Sequence, residues 1–347
     1  MRGNMKIDLD ALHARLARVE ALRGLVRGDL HPMAIKGIVH DHIRLAGRDL
    51  VVRAPRYSAW GLAPDANLDY EAACFRRAWP SGHTPRLVGV LEPGADLPDG
   101  ALVVEEIVGR PPRLPEDFDA IAKALARIHG LGLRPEPERP PLVYHRDPVA
   151  GTLQRIEAQA EVLDRADIAP AARQAIADEL DWARQFAVEA HGLEQPVCLV
   201  MTDTHPGNFI IAGDGRVVFV DLEKAMYGSP GIDLAHASIY TSVNWDPDCA
   251  RDLSILDVAR LYRAYLSEVD RASAVALRPW FTPMRRLTWL RTTTWAAAYR
   301  AGTALPDVLP DRLRGWIEGR LHDYFDPATI ARIRAEWLGD EPLDEVL

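Results

Sequence analysis

The spacing of apolar residues changes several times along the chain, and each change marks an element. Leu9, Leu12, Leu16 and Val19 recur at helical spacing, which predicts an amphipathic helix over 8–22. Residues 33–55 switch to alternation and short apolar runs on either side of Gly47, the pattern of a β-hairpin. A helix near 68–79 and strands at Leu87–Leu91 and Leu102–Val108 follow. The Pro-rich run from Gly109 to Pro115 then breaks the pattern and marks a boundary. Past it, Phe118, Ile121, Leu125 and Ile128 predict a helix, with others at 151–166 and 169–190. After residue 233 the periodicity is helical almost throughout, near 252–268, 284–300, 308–323 and 327–338. The last of these has Asp326 as N-cap and Pro327 at its first position. These elements amount to an α+β chain: a small sheet lobe over 1–108 and a larger, mostly helical lobe over 109–347. A cleft between two such lobes is a natural ligand site.

One stretch does not fit the helical pattern around it. Val197 to Asp221 reads VCLVMTDTHPGNFIIAGDGRVVFVD, with two apolar runs flanking Gly213-Asp214-Gly215. Asp-Gly between such runs is a hairpin signal. A two-residue turn at Asp214-Gly215 pairs Gly213 with Arg216 and sets Asn208 opposite Asp221. Opposed residues share a face with Cβ atoms roughly 5 Å apart. This places an amide oxygen beside a carboxylate, with a second carboxylate, Asp203, on the loop upstream. Two hard oxygen ligands plus a free carboxylate suit Mg²⁺-dependent phosphoryl transfer.

Composition narrows the class without changing this picture. Hydrophobic residues make up 48% and charged residues 26%, an ordinary globular balance. The net charge of -9 argues against a nucleic-acid partner and is better suited to a cationic or neutral substrate. Cys74, Cys198 and Cys249 are too far apart for a zinc site or disulfide framework, so reduced thiols and a cytoplasmic setting are expected. Neither a leader peptide nor a membrane span is expected.

The motifs together resemble the aminoglycoside phosphotransferase and choline kinase-like branch of the protein-kinase-like fold. That branch shows His-Gly-Asp-x-His-x-x-Asn, a hairpin, Ile-Asp-x-x-x-Ala and then Asp-Leu-Ala. Here these are Met201-Thr202-Asp203-Thr204-His205-Pro206-Gly207-Asn208, Val220-Asp221-Leu222-Glu223-Lys224-Ala225 and Asp233-Leu234-Ala235. The resemblance implies an enzyme that moves the γ-phosphate of ATP to a small-molecule hydroxyl, with GTP left open as donor. Asp203 would be the catalytic base, and Asn208 and Asp221 would hold Mg²⁺. Arg53 would stand in for the phosphate-contacting lysine, with Glu71 as its ion-pair partner. Gly37 would lie over the phosphates, and the hinge Val104–Val108, including Glu106 and Val108, would hold adenine. Two departures stand out: Met201 replaces the first motif histidine, and the nucleotide loop has one glycine. They leave a second reading, a catalytically weak or inactive nucleotide-binding module.

The remaining residues carry weaker expectations. His205 is expected to bond the loop backbone, and Asp233 to cap the next helix, while the resemblance implies that it also braces the loop from beneath. His40 and His42 alternate on a strand and are expected on a solvated face. Trp245, Asp246 and Asp248 in one loop, and Arg291 and Trp295 on a later helix, are candidates for the acceptor pocket; aromatics with acids can cage a cation.

Overall fold

The computed structural model describes residues 7–347. Helix α1 (Leu9–Leu16) starts where Asp8 accepts from the backbone N–H groups of Asp10 and Ala11. Strands β1 (Leu30–Pro32), β2 (His40–Leu45), β3 (Leu50–Pro55), β4 (Leu87–Leu91) and β5 (Ala101–Glu105) form an antiparallel sheet in the order β1-β2-β3-β5-β4. Helix α2 (Pro64–Ala78) lies between β3 and β4 in the chain. Alternation along each strand divides the sheet between two cores. Val51, Leu102 and Val104 pack with Leu68 and Phe75 of α2, whereas Ile43, Leu45, Val52 and Val103 pack with Leu12 and Leu16 of α1. Arg53 follows Val51 with period two, so it emerges on the α2 side.

The predicted strand over 102–108 stops at Glu105, and its remainder is the connector to β6 (Gly109–Arg110). Then come α3 (Phe118–His129), α4 (Pro148–Ala160), α5 (Pro170–Ala190), β7 (Cys198–Val200), β8 (Phe209–Ala212), β9 (Val217–Phe219) and β10 (Met226–Gly228). The chain ends with α6 (Pro230–His236), α7 (Tyr240–Val243), α8 (Ile255–Glu268), α9 (Arg271–Leu277), α10 (Phe281–Arg300), α11 (Asp311–Asp323), α12 (Pro327–Leu338) and α13 (Leu343–Val346). Asp326 caps α12 by accepting from the Thr329 N–H, as its sequence predicts. Helix α10 packs on α4, α5 and α6 around buried Trp289, Leu290, Met284 and Ile232. The α2 core runs on without a break into Phe118, Leu125, Phe209 and Tyr262. No helix among the described residues is long and apolar enough to cross a membrane.

The β8–β9 hairpin forms one residue out of the expected register. Phe209 faces Phe219 and Ile211 faces Val217, so Asn208 stands opposite Val220, not Asp221. The Val220 N–H donates to the Asn208 carbonyl at 2.9 Å. Gly215, at φ +83°, takes a left-handed conformation and adds a third residue to the loop, closed by Gly215 N–H to the Ala212 carbonyl. A one-residue slip exchanges the faces of a strand. Asn208 and Asp221 therefore meet the same cleft from outside the ladder, one on the turn before β8 and the other beyond β9.

Candidate active site

The loop that carries Asp203 is held in a strained shape by Asp233. The Asp233 carboxylate, fully buried in α6, accepts from Met201 N–H at 2.8 Å, Thr202 N–H at 2.7 Å and His129 Nε2 at 3.0 Å. Ser229 caps α6, so Asp233 braces the loop but is not the N-cap. Thr202 has φ +59°, a left-handed conformation that is rare for a β-branched residue. Its hydroxyl donates to Lys224 O at 2.9 Å, and its carbonyl accepts from Arg291 Nη2 at 2.6 Å. Every polar group of Thr202 is thus tied down one residue before Asp203. Met201, in the place of the motif histidine, is buried in the core and supplies one of these N–H donors.

Asp203 meets Lys224 Nζ at 2.5 Å, with His236 Nδ1 at 3.9 Å. Burial works against its charge, yet Lys224, His205 and His236 prevail and hold the carboxyl well below the usual range. Asn208 donates from Nδ2 to the Asp203 carbonyl at 2.9 Å, leaving its amide oxygen for another partner. His205 does not bond the backbone as expected; its Nδ1 is buried without a hydrogen-bond partner, and the residue lines the cleft.

Across the cleft, Arg53 Nη2 reaches Asp221 Oδ1 at 2.5 Å and Glu223 Oε2 at 3.5 Å. The expected Arg53–Glu71 pair does not form. His40 stands between them, with Nε2 3.0 Å from Glu71 Oε2 and Nδ1 3.1 Å from Glu223 Oε2. Asn67 Nδ2 donates to the other Glu71 oxygen at 2.9 Å. His40 and His42 are not on a solvated face. Antiparallel pairing sets His42 directly across from Arg53, and both histidines turn inward beside it. Burial alone would lower the His40 pKa, but Glu71 and Glu223 push it up to about 9. Burial and neighbouring Arg53 hold His42 well below its ordinary value.

Both groups open on one cleft of about 570 Å³. Gly37 lines one wall, in a loop whose Lys36 reaches Asp248 Oδ2 at 2.8 Å. Glu106 lines the hinge wall with Val104, Ile107 and Gly109, and accepts from Arg44 Nε at 2.6 Å. Val108 is 73% exposed and is outside that lining. At the helical end, Trp245, Asp246, Arg291 and Trp295 line the wall, with the Trp245 and Trp295 rings edge to face at 5.4 Å. Asp248 is tied to Lys36 and does not join them.

The description "phosphotransferase enzyme family" matches residues 41–268. The chain belongs to that family. None of the curated proteins matches the sequence. Solved structures with the same fold include a choline/ethanolamine kinase family protein from Mesorhizobium loti, with 20% identity, coverage of 97% of this chain and 98% of that one, and a TM-score of 0.62. A choline kinase from Cryptosporidium parvum has 12% identity, coverage of 97% and 99%, and a TM-score of 0.61. The GDP complex of aminoglycoside 2'-phosphotransferase-IIIa has 14% identity, coverage of 94% and 99%, and a TM-score of 0.58.

As a phosphotransferase with the two-lobed, kinase-like α+β fold, the protein is a small-molecule kinase. Among the described residues its cleft holds one cluster with metal-like spacing, besides the Asn208 and Asp221 pair expected from the motif. His40, Asp221 and Glu223 bring ligand atoms within 4.8 Å of one another. A protonated imidazole has no lone pair to offer, and both nitrogens of His40 already lie on carboxylates. Asp221 with the amide oxygen of Asn208 is a set of hard oxygen donors only, although Arg53 already occupies Asp221 Oδ1. His40, Glu223 and Lys224 are site residues that the sequence pattern misses. The inward alternation of His40 with His42 and Arg53 was the available signal.

Proposed function

We propose that this kinase moves the γ-phosphate of ATP to a hydroxyl of a small molecule, with Asp203 as the base that orients that hydroxyl. The carrying observation is the Asp203 loop itself: a left-handed Thr202 held by Asp233, Lys224 and Arg291 points one carboxylate at the cleft that Arg53 and Asp221 enter from the other side. In this reading the chain divides near Val108 and Gly109, with nucleotide on the sheet side and acceptor on the helical side. The hinge and Gly37 border the nucleotide, and Arg53 offers its guanidinium to the phosphates. Glu71 acts indirectly, through His40. Asn208 and Asp221 would hold Mg²⁺, which when bound offsets phosphate charge. Lys224 keeps Asp203 ionised and lies where a transferring phosphoryl group would need a cation. Three free, buried cysteines support a reducing, cytoplasmic setting.

The structural relatives are named for choline, ethanolamine and aminoglycosides, which makes a hydroxylated amine or sugar the starting class of acceptor. A catalytically inactive binding module has less support. Met201 keeps the bond to Asp233, and the base serves no purpose in a module that only binds. Asp203→Ala should keep nucleotide binding while Mg·ATP turnover falls by roughly two or more powers of ten. Turnover equal to wild type would remove Asp203 from the mechanism.

A further inference from the structure

The helical end of the cleft carries positive charge that the nucleotide does not need. On α4, Arg155 and Gln159 lie one turn apart and share a face; on α10, Arg291 and Trp295 do the same. The two helices pack together, so both arginines border one end of the cleft. The charges there do not cancel. Lys224 is matched by Asp203 at 2.5 Å. Asp246 lines the same wall without a cation within ion-pair distance among the described residues; its Oδ1 accepts from the Asp248 N–H at 2.8 Å and its carboxylate lies against Gly207, so the wall keeps two cations to one acid. Neither Arg155 nor Arg291 has a carboxylate within ion-pair distance among the described residues.

Arg291 is held by a hydrogen bond, and Arg155 is an exposed side chain with one aromatic contact. Arg291 uses Nη2 on the Thr202 carbonyl at 2.6 Å, which spends one of five N–H donors. Arg155 lies over the Trp60 ring at 5.9 Å, and the Trp60 indole N–H is itself fixed on Glu223 O at 3.0 Å. Burial and the neighbouring Arg155 work against the charge of Arg291, while Asp203 and Asp233 favour it. Two like charges left unpaired at one wall repel each other, and an arriving oxyanion relieves that repulsion. Guanidinium forks match planar carboxylates and tetrahedral phosphates alike.

We propose that the acceptor carries an anionic group, a carboxylate or a phosphate ester, which Arg155 and Arg291 bind so that a hydroxyl of the same molecule reaches Asp203. This inference rests on the phosphotransferase reading above and names its substrate class. It reverses the expectation from net charge, because the chain is acidic as a whole while this wall is basic. The aromatic pair Trp245 and Trp295 would cover the apolar body of the acceptor.

The test uses the full chain loaded with magnesium and a non-hydrolysable ATP analogue, so that the phosphate subsite at Arg53 is filled. Calorimetry then compares inorganic phosphate, gluconate and glycerol 3-phosphate with their neutral counterparts glucose and glycerol, and with choline. Gluconate and glycerol 3-phosphate separate a carboxylate site from a phosphate-ester site. The anions should bind about tenfold or more tightly than the neutral compounds, and Arg155→Ala should lose about tenfold in anion affinity while melting with the wild type. Arg291→Lys keeps the charge but not the fork, and should weaken the anions as well. With any anion that serves as acceptor, Arg155→Ala should raise KM with little change in kcat. Analogue binding without anion binding, tighter binding of choline or glucose, or unchanged anion affinity in both variants would overturn the anionic acceptor alone. Failure of the analogue itself to bind would overturn the kinase reading beneath it.

Discussion

The bracing of the Asp203 loop can be tested by Asp233→Asn, which changes charge and hydrogen-bond sense but not shape. In the native loop, one Asp233 oxygen takes Met201 N–H and His129, and the other takes Thr202 N–H. An asparagine has a single accepting oxygen. If its NH₂ faces Thr202, that N–H is unpaired. If it faces Met201, His129 can take the other tautomer, with its Nδ1–H donating to the Tyr265 hydroxyl oxygen and its Nε2 accepting from the amide, but the Met201 N–H still loses its acceptor. Either way one buried backbone donor is left unsatisfied, at roughly 1–3 kcal/mol. The left-handed Thr202 stores strain of about the same size, about 1–3 kcal/mol. Removing about 2 kcal/mol of support lets Thr202 relax, and depletes the productive loop by about thirtyfold. Turnover should fall by that factor, while the affinity for an ATP analogue stays close to wild type, because Arg53 and Asp221 stand on other elements. Adding Thr202→Gly to Asp233→Asn should recover part of the loss, since glycine adopts this conformation freely. Steady-state kinetics with an identified acceptor, or acceptor-independent ATP hydrolysis, gives kcat for each variant. An Asp233→Asn enzyme within about threefold of wild type would refute the claim that Asp233 holds the base in place.

Two further outcomes follow from the same geometry. The His40 pKa is raised from 6.5 to about 9, so its stabilising contribution is complete below pH 6.5 and is lost as pH rises through about 9; unfolding free energies from urea titration should decline over that window by up to about 3 kcal/mol and the decline should vanish in His40→Asn, whereas a flat wild-type profile would contradict a charged His40. A Cβ on Gly109 would lie 2.2 Å from the Ile211 carbonyl oxygen, a backbone atom that cannot swing aside, so Gly109→Ala should melt lower by the equivalent of about 1–3 kcal/mol; unchanged melting would mean that β6 and β8 are not in the close contact described.

The parts of the site that can be read from the sequence are those built by neighbours in the chain. Asp203, Asn208 and Asp221 lie in one stretch, and local pattern suffices to bring them to one cleft. It does not suffice for their register. Gly213-Asp214-Gly215 permits a two-residue or a three-residue loop, and Gly215 takes positive φ in both; the choice turns on Asp214, which a two-residue type I′ turn needs at positive φ and which does not adopt it here. The motif survives the error because Asn208 and Asp221 lie beyond the ladder ends, where the face rule no longer governs them. The His40 network is illegible for a different reason. It joins a strand, a helix and the segment after β9, and an inward histidine has the same sequence signature as an outward one until its neighbours are known. Asp233 was half legible: the family resemblance implied a brace, while the capping role expected from its position belonged to Ser229.

Charge shows the limit most clearly. A net charge of -9 describes the average field of the surface, which controls solubility and long-range approach. A bound acceptor instead feels the few groups within hydrogen-bond reach, where water is displaced and pairing decides the energy. In this cleft Asp203 is engaged by Lys224, Asp221 by Arg53, and Glu223 by His40, while Asp246 bonds a backbone N–H of its own loop. Two arginines at the helical end are engaged by no carboxylate among the described residues. The sign of the site therefore depends on which charges remain unpaired after folding. A composition count cannot supply this, because Arg155 and Arg291 come from separate helices whose packing alone brings them to one wall.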